Sequence, residues 1–178
     1  MPYALTLKSL DPRAGALDLL CEEAARFEAA PSMAALGYAP HISLAIYDDV
    51  DVGGLSELAE RLARDWPVQH LRFRTVRHFE GPPHVLWAEP DRASDLYAMH
   101  EAIHEAIDPE RCRLHYRPGA WVPHCSLAMA IPDDQLQAAL IWADSRRIDV
   151  CVSFGSIDCV AFPPVEILRS EGLRPEPA

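Results

Sequence analysis

The chain repeats one strand-like segment, and this repeat constrains the fold more than any other feature of the sequence. Residues 38–45 read Tyr-Ala-Pro-His-Ile-Ser-Leu-Ala and residues 121–128 read Trp-Val-Pro-His-Cys-Ser-Leu-Ala, so five of eight positions are identical. Each copy continues into a pair of aspartates and then a predicted helix. Because the copies lie about half of the 178-residue chain apart, they predict two similar lobes packed about a pseudo-twofold axis.

In both copies the polar side chains alternate with apolar ones, as in a half-buried strand. The period of two places His41 and Ser43 on one face of the first strand, and His124 and Ser126 on one face of the second. If the apolar faces pack on helices, the polar faces must line solvent or a cleft. We therefore expect two imidazoles and two hydroxyls to meet across one cleft.

These four groups suit the chemistry of a phosphodiester. A neutral imidazole can take a proton from water while a charged one gives a proton to the departing alkoxide, since the pKa of histidine lies near working pH. Serine hydroxyls can donate hydrogen bonds to the non-bridging oxygens as their charge grows. His41 and His124 are the candidate catalytic pair and Ser43 and Ser126 the candidate phosphate-binding residues, with no metal and no cofactor required.

The remaining pattern predicts mixed α and β structure with several hairpins, in one domain over residues 1–178. Strands are expected at 3–7, 42–46, 68–79, 85–88, 122–130, 148–154, 157–162 and 165–168. Helices are expected from Asp11 towards Pro31, at 54–66, from Asp91 to before Pro109, and at 132–145. The tail 172–178 is expected to be frayed.

Charge and composition limit the partners. The chain has 27 acidic and 16 basic residues, a net charge of −11, so it offers no extended surface for nucleic acid. Arg72, Arg74 and Arg77 could supply local positive charge, although alternating arginines on a half-exposed strand usually form a solvated face.

The five cysteines are scattered without a C-x-x-C pair, which indicates reduced thiols acting as small apolar fillers. With neither a leader-like segment nor a long apolar run, we expect a cytoplasmic monomer with no membrane contact.

The two motifs, their separation and the helix after each copy resemble the 2H phosphoesterase superfamily, in particular its bacterial 2′-5′ RNA ligases and RNA 2′,3′-cyclic phosphodiesterases. The resemblance spans most of the chain, from Tyr3 to near Leu168. It implies an α+β bilobal duplicated fold, with two antiparallel sheets facing a central cleft and helices outside. It also implies a metal-independent cyclic phosphodiesterase acting on a small nucleotide or RNA end, a capacity for 2′-5′ joining, and His41 and His124 as its catalytic pair.

The same resemblance gives Ser43 and Ser126 the phosphate-holding role and identifies His84-Val85-Leu86-Trp87 as the strand that follows the first lobe. This chain departs from the family pattern at two points. Serine stands where threonine is more frequent, which keeps the hydroxyl donor. Met129 stands where a basic residue is common, which weakens the case for long or highly charged RNA.

Three other interpretations stay open. His100-Glu101-Ala102-Ile103-His104 matches the H-E-x-x-H pattern of zinc metallohydrolases, with His115, Glu105 or Glu110 as conceivable further ligands. A binding module could use the same cleft for a nucleotide without turnover. Tyr38 and Trp121, each three residues before a motif histidine, could stack on a base or ribose or could instead be partly buried edge aromatics.

Overall fold

The computed structural model describes residues 1–29, 31–91 and 94–175. These residues form seven β-strands and four α-helices. The strands are β1 (Tyr3–Ser9), β2 (His41–Tyr47), β3 (Gln69–Phe79), β4 (His84–Asp91), β5 (Cys125–Ile131), β6 (Val150–Ala161) and β7 (Glu166–Gly172). The helices are α1 (Gly15–Ala24), α2 (Val52–Asp65), α3 (Ser94–Ala106) and α4 (Asp133–Ser145). The α+β class expected from the sequence is confirmed.

All seven strands belong to one antiparallel sheet with the order β1-β2-β5-β4-β3-β6-β7, and β1 also pairs with β6. The structure differs here from the expected pair of separate sheets, because hydrogen bonds join the two halves. One join is the pairing of β2 with β5. The other is β6, whose first residues pair with β3 and whose later residues pair with β1 and β7.

Strand β6 is continuous through Gly155, where the sequence predicted a break between two strands. The glycine stays in the ladder because its carbonyl accepts from the backbone N–H of Leu173. Leu173 is also buried, and the backbone of Arg174 bonds to Ala63, Trp66 and Val68. The tail is thus anchored as far as Arg174 rather than frayed from residue 172, while residues 176–178 lie outside the described part of the chain.

The helices pack against one face of the sheet. That face carries Ile42, Leu44, Cys125 and Leu127, which are all buried in the main apolar core. Burying one such aliphatic side chain stabilises the fold by about 1.5–3 kcal/mol, so packing of the helices against this face is strongly favoured. The motif histidines and serines consequently occupy the opposite face.

Helix α2 begins two residues before its predicted start because Asp51 caps it. The Asp51 carboxylate accepts from the N–H groups of Gly53 and Gly54, at 3.2 and 3.0 Å. A Cβ at Gly54 would lie 2.9 Å from a carboxylate oxygen of Asp51. A glycine is needed there for the capping side chain to approach this closely. Helix α1 is shorter than predicted, since residues Ala25–Phe27 tighten into a 3₁₀ turn.

The prediction that the cysteines fill apolar space inside the protein is right for three of the five. Cys112, Cys125 and Cys159 are buried, Cys21 is partly buried, and Cys151 is exposed. Cys151 differs because the alternation of β6 turns it away from its buried neighbour Val152.

Candidate active site

The two repeated segments meet at the junction of β2 and β5. Ile42 and Cys125, the central residues of the two His-x-Ser motifs, are direct partners in an antiparallel pair. Antiparallel pairing sets the residue before one partner opposite the residue after the other. His41 therefore lies opposite Ser126, and Ser43 lies opposite His124, as a local twofold relation requires.

Burial along both strands alternates as the sequence predicted. Ile42 and Leu44 are fully buried, whereas His41 and Ser43 are half-buried, and the second motif follows the same pattern. The second strand nevertheless begins at Cys125 rather than at Val122. Pro123 cannot donate a hydrogen bond to a neighbouring strand, so the ladder starts after it, much as β2 starts directly after Pro40.

Both imidazoles are oriented by the same local hydrogen bond. The Nδ1 atom of His41 donates to the carbonyl of Ala39 at 3.0 Å, and Nδ1 of His124 donates to the carbonyl of Val122 at 2.7 Å. In each case the acceptor lies two residues before the histidine. A neutral ring that donates through Nδ1 carries its lone pair on Nε2, so Nε2 is the atom that exchanges a proton with a ligand.

Burial lowers the pKa of both histidines below the ordinary value of imidazole. For His41, burial has the largest effect and the Ala39 carbonyl opposes it. The nearby His124 lowers the pKa of His41 further, and Asp158 raises it. For His124, burial lowers the pKa and the Val122 carbonyl opposes it. The two rings are thus close enough to influence each other, and both favour the neutral form before a ligand binds.

Ser43 has two neighbours from the segment between α3 and β5. Its carbonyl accepts from Nε1 of Trp121 at 3.0 Å, and the side chain of Tyr116 lies near its hydroxyl. Tyr116 carries no signal in the sequence, because it lies in a 3₁₀ turn (Leu114–Tyr116) outside any repeated or alternating pattern. Tyr116 adds a second hydroxyl beside the first motif.

Of the two alternatives for Trp121, the structure fits the buried aromatic and not the ligand-stacking residue. Its side chain is only 4% exposed, and the ring of His100 stacks on it at 4.3 Å with an interplanar angle of 1°. Trp121 therefore supports Ser43 from inside the protein. Tyr38 is half-buried, and its ring lies 4.8 Å from that of His41, so a role in ligand stacking stays a prediction for this residue.

The aromatic neighbours of His124 were also not identified from the sequence. The ring of Phe79 meets His124 edge-on at 5.0 Å, and Trp87 lies 5.9 Å from it. Phe79 and Trp87 stack on each other at 4.6 Å. The alternation of polar and apolar residues in β3 and β4 indicates which side chains share a face within each strand. The β-bulges in the pairings of β4 with β3 and with β5 shift the register, and a period of two does not reveal them.

The H-E-x-x-H segment has a structural role. Nε2 of His100 and Nε2 of His104 both donate to the carbonyl oxygen of Tyr116, at 2.8 and 3.0 Å. The two Nε2 atoms also lie 3.2 Å from each other. The pair fixes the segment that brings Tyr116 and Trp121 to Ser43. Within residues 1–29, 31–91 and 94–175, no three His, Cys, Asp or Glu side chains group so as to hold a metal ion.

A pocket of about 350 Å³ opens beside the paired motifs and contains one residue from each, His41 and Ser126. Asp18 and Glu22, one turn apart on α1, form its acidic wall. Burial and the neighbouring Glu22 raise the pKa of Asp18. The other lining residues are Cys21, Met33, Ala34, Gly37, Tyr38, Ala39 and Pro40. Among the described residues no lysine or arginine lines this pocket, which makes it unfavourable for a second phosphate.

The arginines of β3 are balanced by acidic partners. Arg72 pairs with Asp149, Arg74 with Asp91 and Arg77 with Glu89. All three arginine side chains are about half exposed, as expected of a solvated face.

Comparisons with known proteins identify the family and the fold. A model of the 2′-5′ RNA ligase superfamily matches residues 17–162. The fold is similar to the crystal structure of TT0787 of Thermus thermophilus, with a TM-score of 0.68, 18% identity, and coverage of 99% of this chain and 100% of that one. It is also similar to E. coli LigT complexed with 3′-AMP, with a TM-score of 0.63, 17% identity, and coverage of 97% and 99%.

A further solved structure, described as a phosphoesterase, gives a TM-score of 0.58 at 15% identity, with coverage of 97% of this chain and 99% of that one. No curated protein matches the sequence significantly. Among the described residues, no helix combines the length and the apolar character needed to cross a membrane.

Proposed function

Because the chain belongs to the 2′-5′ RNA ligase superfamily, we propose that it is a metal-independent phosphoesterase that opens 2′,3′-cyclic phosphates of nucleotides or RNA ends. The observation that carries this proposal is the direct pairing of the two His-x-Ser motifs at Ile42 and Cys125. This pairing brings two imidazoles and two serine hydroxyls to one patch of the sheet, a grouping that suits acid–base catalysis at a single phosphorus centre.

The geometry supports a two-histidine mechanism. Nε2 of the neutral histidine takes a proton from water as the water oxygen forms a bond to phosphorus. The bond from phosphorus to one ribose oxygen breaks, and the charged histidine donates its Nε2 proton to that oxygen. Ser43 and Ser126 donate hydrogen bonds to the non-bridging oxygens. The product is a ribose phosphate monoester, and the two histidines exchange protons with solvent before the next turnover.

The acidic pocket favours a small substrate. A nucleotide whose phosphate lies between the histidines would extend its sugar or base past His41 and Ser126 towards Asp18 and Glu22. A polynucleotide would bring further phosphates to the same carboxylates. E. coli LigT has been crystallised with 3′-AMP and with NADP⁺, which supports a nucleotide as the ligand class for this chain.

Hydrolysis of the four nucleoside 2′,3′-cyclic monophosphates in excess chelator tests the proposal. We expect turnover to persist, and His41→Ala and His124→Ala each to lower kcat/KM by about 10²–10⁴-fold, the usual contribution of one general acid or base. The matched control is His115→Ala, because His115 is an exposed histidine; this variant should keep full activity.

Three outcomes would contradict the proposal. Loss of turnover in chelator would indicate metal catalysis. Binding of cyclic nucleotides without turnover would indicate a binding module. Retention of activity in both alanine variants would show that neither histidine acts as a general acid or base. The reverse reaction, 2′-5′ joining with a ribose hydroxyl in place of water, uses the same groups and is tested by incubating RNA ends that carry a 2′,3′-cyclic phosphate and a 5′-hydroxyl.

A further inference from the structure

A second pair of histidines lies on the face of the sheet that the helices cover. His78, near the end of β3, pairs in register with Leu86 of β4, and His84 is the first residue of β4, two residues before Leu86. Leu86 is fully buried in the main core, so the alternation along each strand turns both histidines towards the helical layer. Helix α4 begins beside them at Asp133. This pair is therefore separate from the two motif histidines, which occupy the opposite face.

The rings of His78 and His84 face each other at short range. Nε2 of His78 lies 3.4 Å from Nδ1 of His84, and the ring centroids are 5.5 Å apart with an interplanar angle of 33°. Hydrogen bonds donated by N–H groups in proteins are most often about 2.9–3.0 Å long, so this contact is a weak one. The structure thus holds two half-buried imidazole nitrogens close together without a strong bond between them.

Asp133 determines which nitrogen of His84 is available to a ligand. Its carboxylate accepts a hydrogen bond from Nε2 of His84 at 3.1 Å. A neutral imidazole that donates through Nε2 carries its lone pair on Nδ1, and Nδ1 is the atom that faces His78. Histidines that bind metal ions commonly have this arrangement, because a carboxylate on the second nitrogen orients the ring and raises the basicity of the first.

The distance between the two facing nitrogens fits a bound metal ion. Zinc binds imidazole nitrogen at about 2.0–2.1 Å in tetrahedral geometry, and two nitrogens bound in this way lie about 3.4 Å apart. The observed distance between Nε2 of His78 and Nδ1 of His84 is 3.4 Å. A metal ion placed to one side of the line between these nitrogens therefore reaches both with little movement of either ring.

The surroundings of the pair suit a hydrated cation. A cavity of about 590 Å³ is lined by both histidines and by Glu80 and Asp133, and the charges of these two carboxylates attract a cation. Among the described residues no lysine or arginine lines this cavity. The space is large enough for water molecules on a bound ion.

We propose that His78 and His84 bind a divalent transition-metal ion such as Zn²⁺, through Nε2 of His78 and Nδ1 of His84, with Asp133 orienting His84. Because no three His, Cys, Asp or Glu side chains group around a metal position in the described part of the chain, water completes the coordination. Ions that prefer imidazole, such as Zn²⁺, Ni²⁺ and Cu²⁺, should bind, whereas Mg²⁺ prefers oxygen ligands. The ion joins the turn between β3 and β4 to the start of α4.

Isothermal titration calorimetry with ZnCl₂ measures this site, on protein treated with chelator and then exchanged into chelator-free buffer. We expect saturable binding of one Zn²⁺ per chain that MgCl₂ does not displace. His78→Ala and His84→Ala should each abolish it, because each removes one of two protein ligands. Asp133→Asn should weaken it by about tenfold, as expected when the carboxylate partner of a ligating histidine is lost. His115→Ala, which removes an exposed histidine, is the matched control and should bind as the unmodified protein does.

Nitrogen-15 NMR of the imidazole rings identifies the ligating atoms. Zn²⁺ should shift the signals of Nε2 of His78 and Nδ1 of His84, and it should leave the rings of His41 and His124 unchanged. Thermal denaturation gives a second readout, because an ion that binds only the folded state stabilises it. Zn²⁺ should raise the Tm of the unmodified protein and of His115→Ala, but not that of His78→Ala.

The outcomes distinguish this site from the proposed function. Absence of binding by Zn²⁺, Ni²⁺ and Cu²⁺, equal binding by His78→Ala, or Zn²⁺-induced shifts at other histidines instead of this pair would overturn the metal site. Because no readout of the site uses hydrolysis, the expected binding without hydrolysis of any cyclic nucleotide would overturn the proposed function and leave the site standing. If His84→Ala does not fold, since the His84 side chain is only 13% exposed, His78→Ala and Asp133→Asn carry the test.

Discussion

At the residue scale, two short contacts decide what each motif can do. The carbonyl two residues before each histidine holds Nδ1, so Nε2 and the serine hydroxyl two residues later form the reactive edge. These hydrogen bonds are local to each copy and follow from the repeated sequence. Tyr116, which lies near Ser43, comes from a distant part of the chain, so the two serines have different neighbours.

Replacing the serines tests this edge. We expect Ser43→Ala and Ser126→Ala each to lower kcat/KM by about 10- to 100-fold, less than loss of a histidine, because each removes one hydrogen bond to the developing charge. Ser43→Thr and Ser126→Thr should retain most activity, since threonine keeps the donor. Steady-state assays measure this, with the exposed Ser145→Ala as control. Full activity in both alanine variants would exclude the serines from phosphate binding.

At the element scale, the sequence predicted the repeated strands, the helices and the face of each motif, because all of these follow from local periodicity. It did not predict the continuity of β6, and it left open whether Trp121 is buried. Both depend on partners distant in sequence, β3 and β7 for the strand and His100 for the tryptophan.

Helix α3 provides a prediction about stability. Burial lowers the pKa of both His100 and His104, so below about pH 6.5 the unfolded chain binds protons that the folded chain rejects. Their contribution to stability is therefore complete above that pH and is lost as the pH falls towards their folded pKa values. We expect the Tm to fall as the pH is lowered from about 7.5 to about 5.

The variant His104→Gln removes one titrating group from this region. It should have a lower Tm at about pH 7.5, because the bond to Tyr116 is weakened, and a shallower decline towards about pH 5. Thermal denaturation over this pH range measures both effects. The exposed His115→Gln is the control and should follow the unmodified protein, whereas an unchanged slope in His104→Gln would contradict the linkage.

At the scale of the whole molecule, the net charge of −11 and the acidic wall of the pocket point to the same class of substrate. The sign of the overall charge could be read from composition, whereas the fold placed Asp18 and Glu22 beside the paired motifs. That position depends on how α1 packs near β5, which no local pattern specifies. The two halves of the chain are related by a local twofold at the paired motifs, but the residues around the two histidines differ.

Neutralising this wall should widen the range of substrates. We expect Asp18→Asn with Glu22→Gln to raise activity on a short oligoribonucleotide ending in a 2′,3′-cyclic phosphate, relative to the mononucleotide, by about tenfold at low salt, because repulsion of further phosphates is removed. The gain should shrink as salt is added. Glu57→Gln with Glu105→Gln, two exposed glutamates outside the pocket, should produce no such change. An equal response to both pairs would contradict a local effect.

A crystal structure of the protein with a nucleoside 2′- or 3′-monophosphate tests the central claim most directly. The account predicts the phosphate at the junction of β2 and β5, with Nε2 of His41 and Nε2 of His124 each about 3 Å from a different phosphate oxygen and the serine hydroxyls on the remaining oxygens. A phosphate bound elsewhere, or one contacted by a single imidazole while the other ring points away, would contradict it.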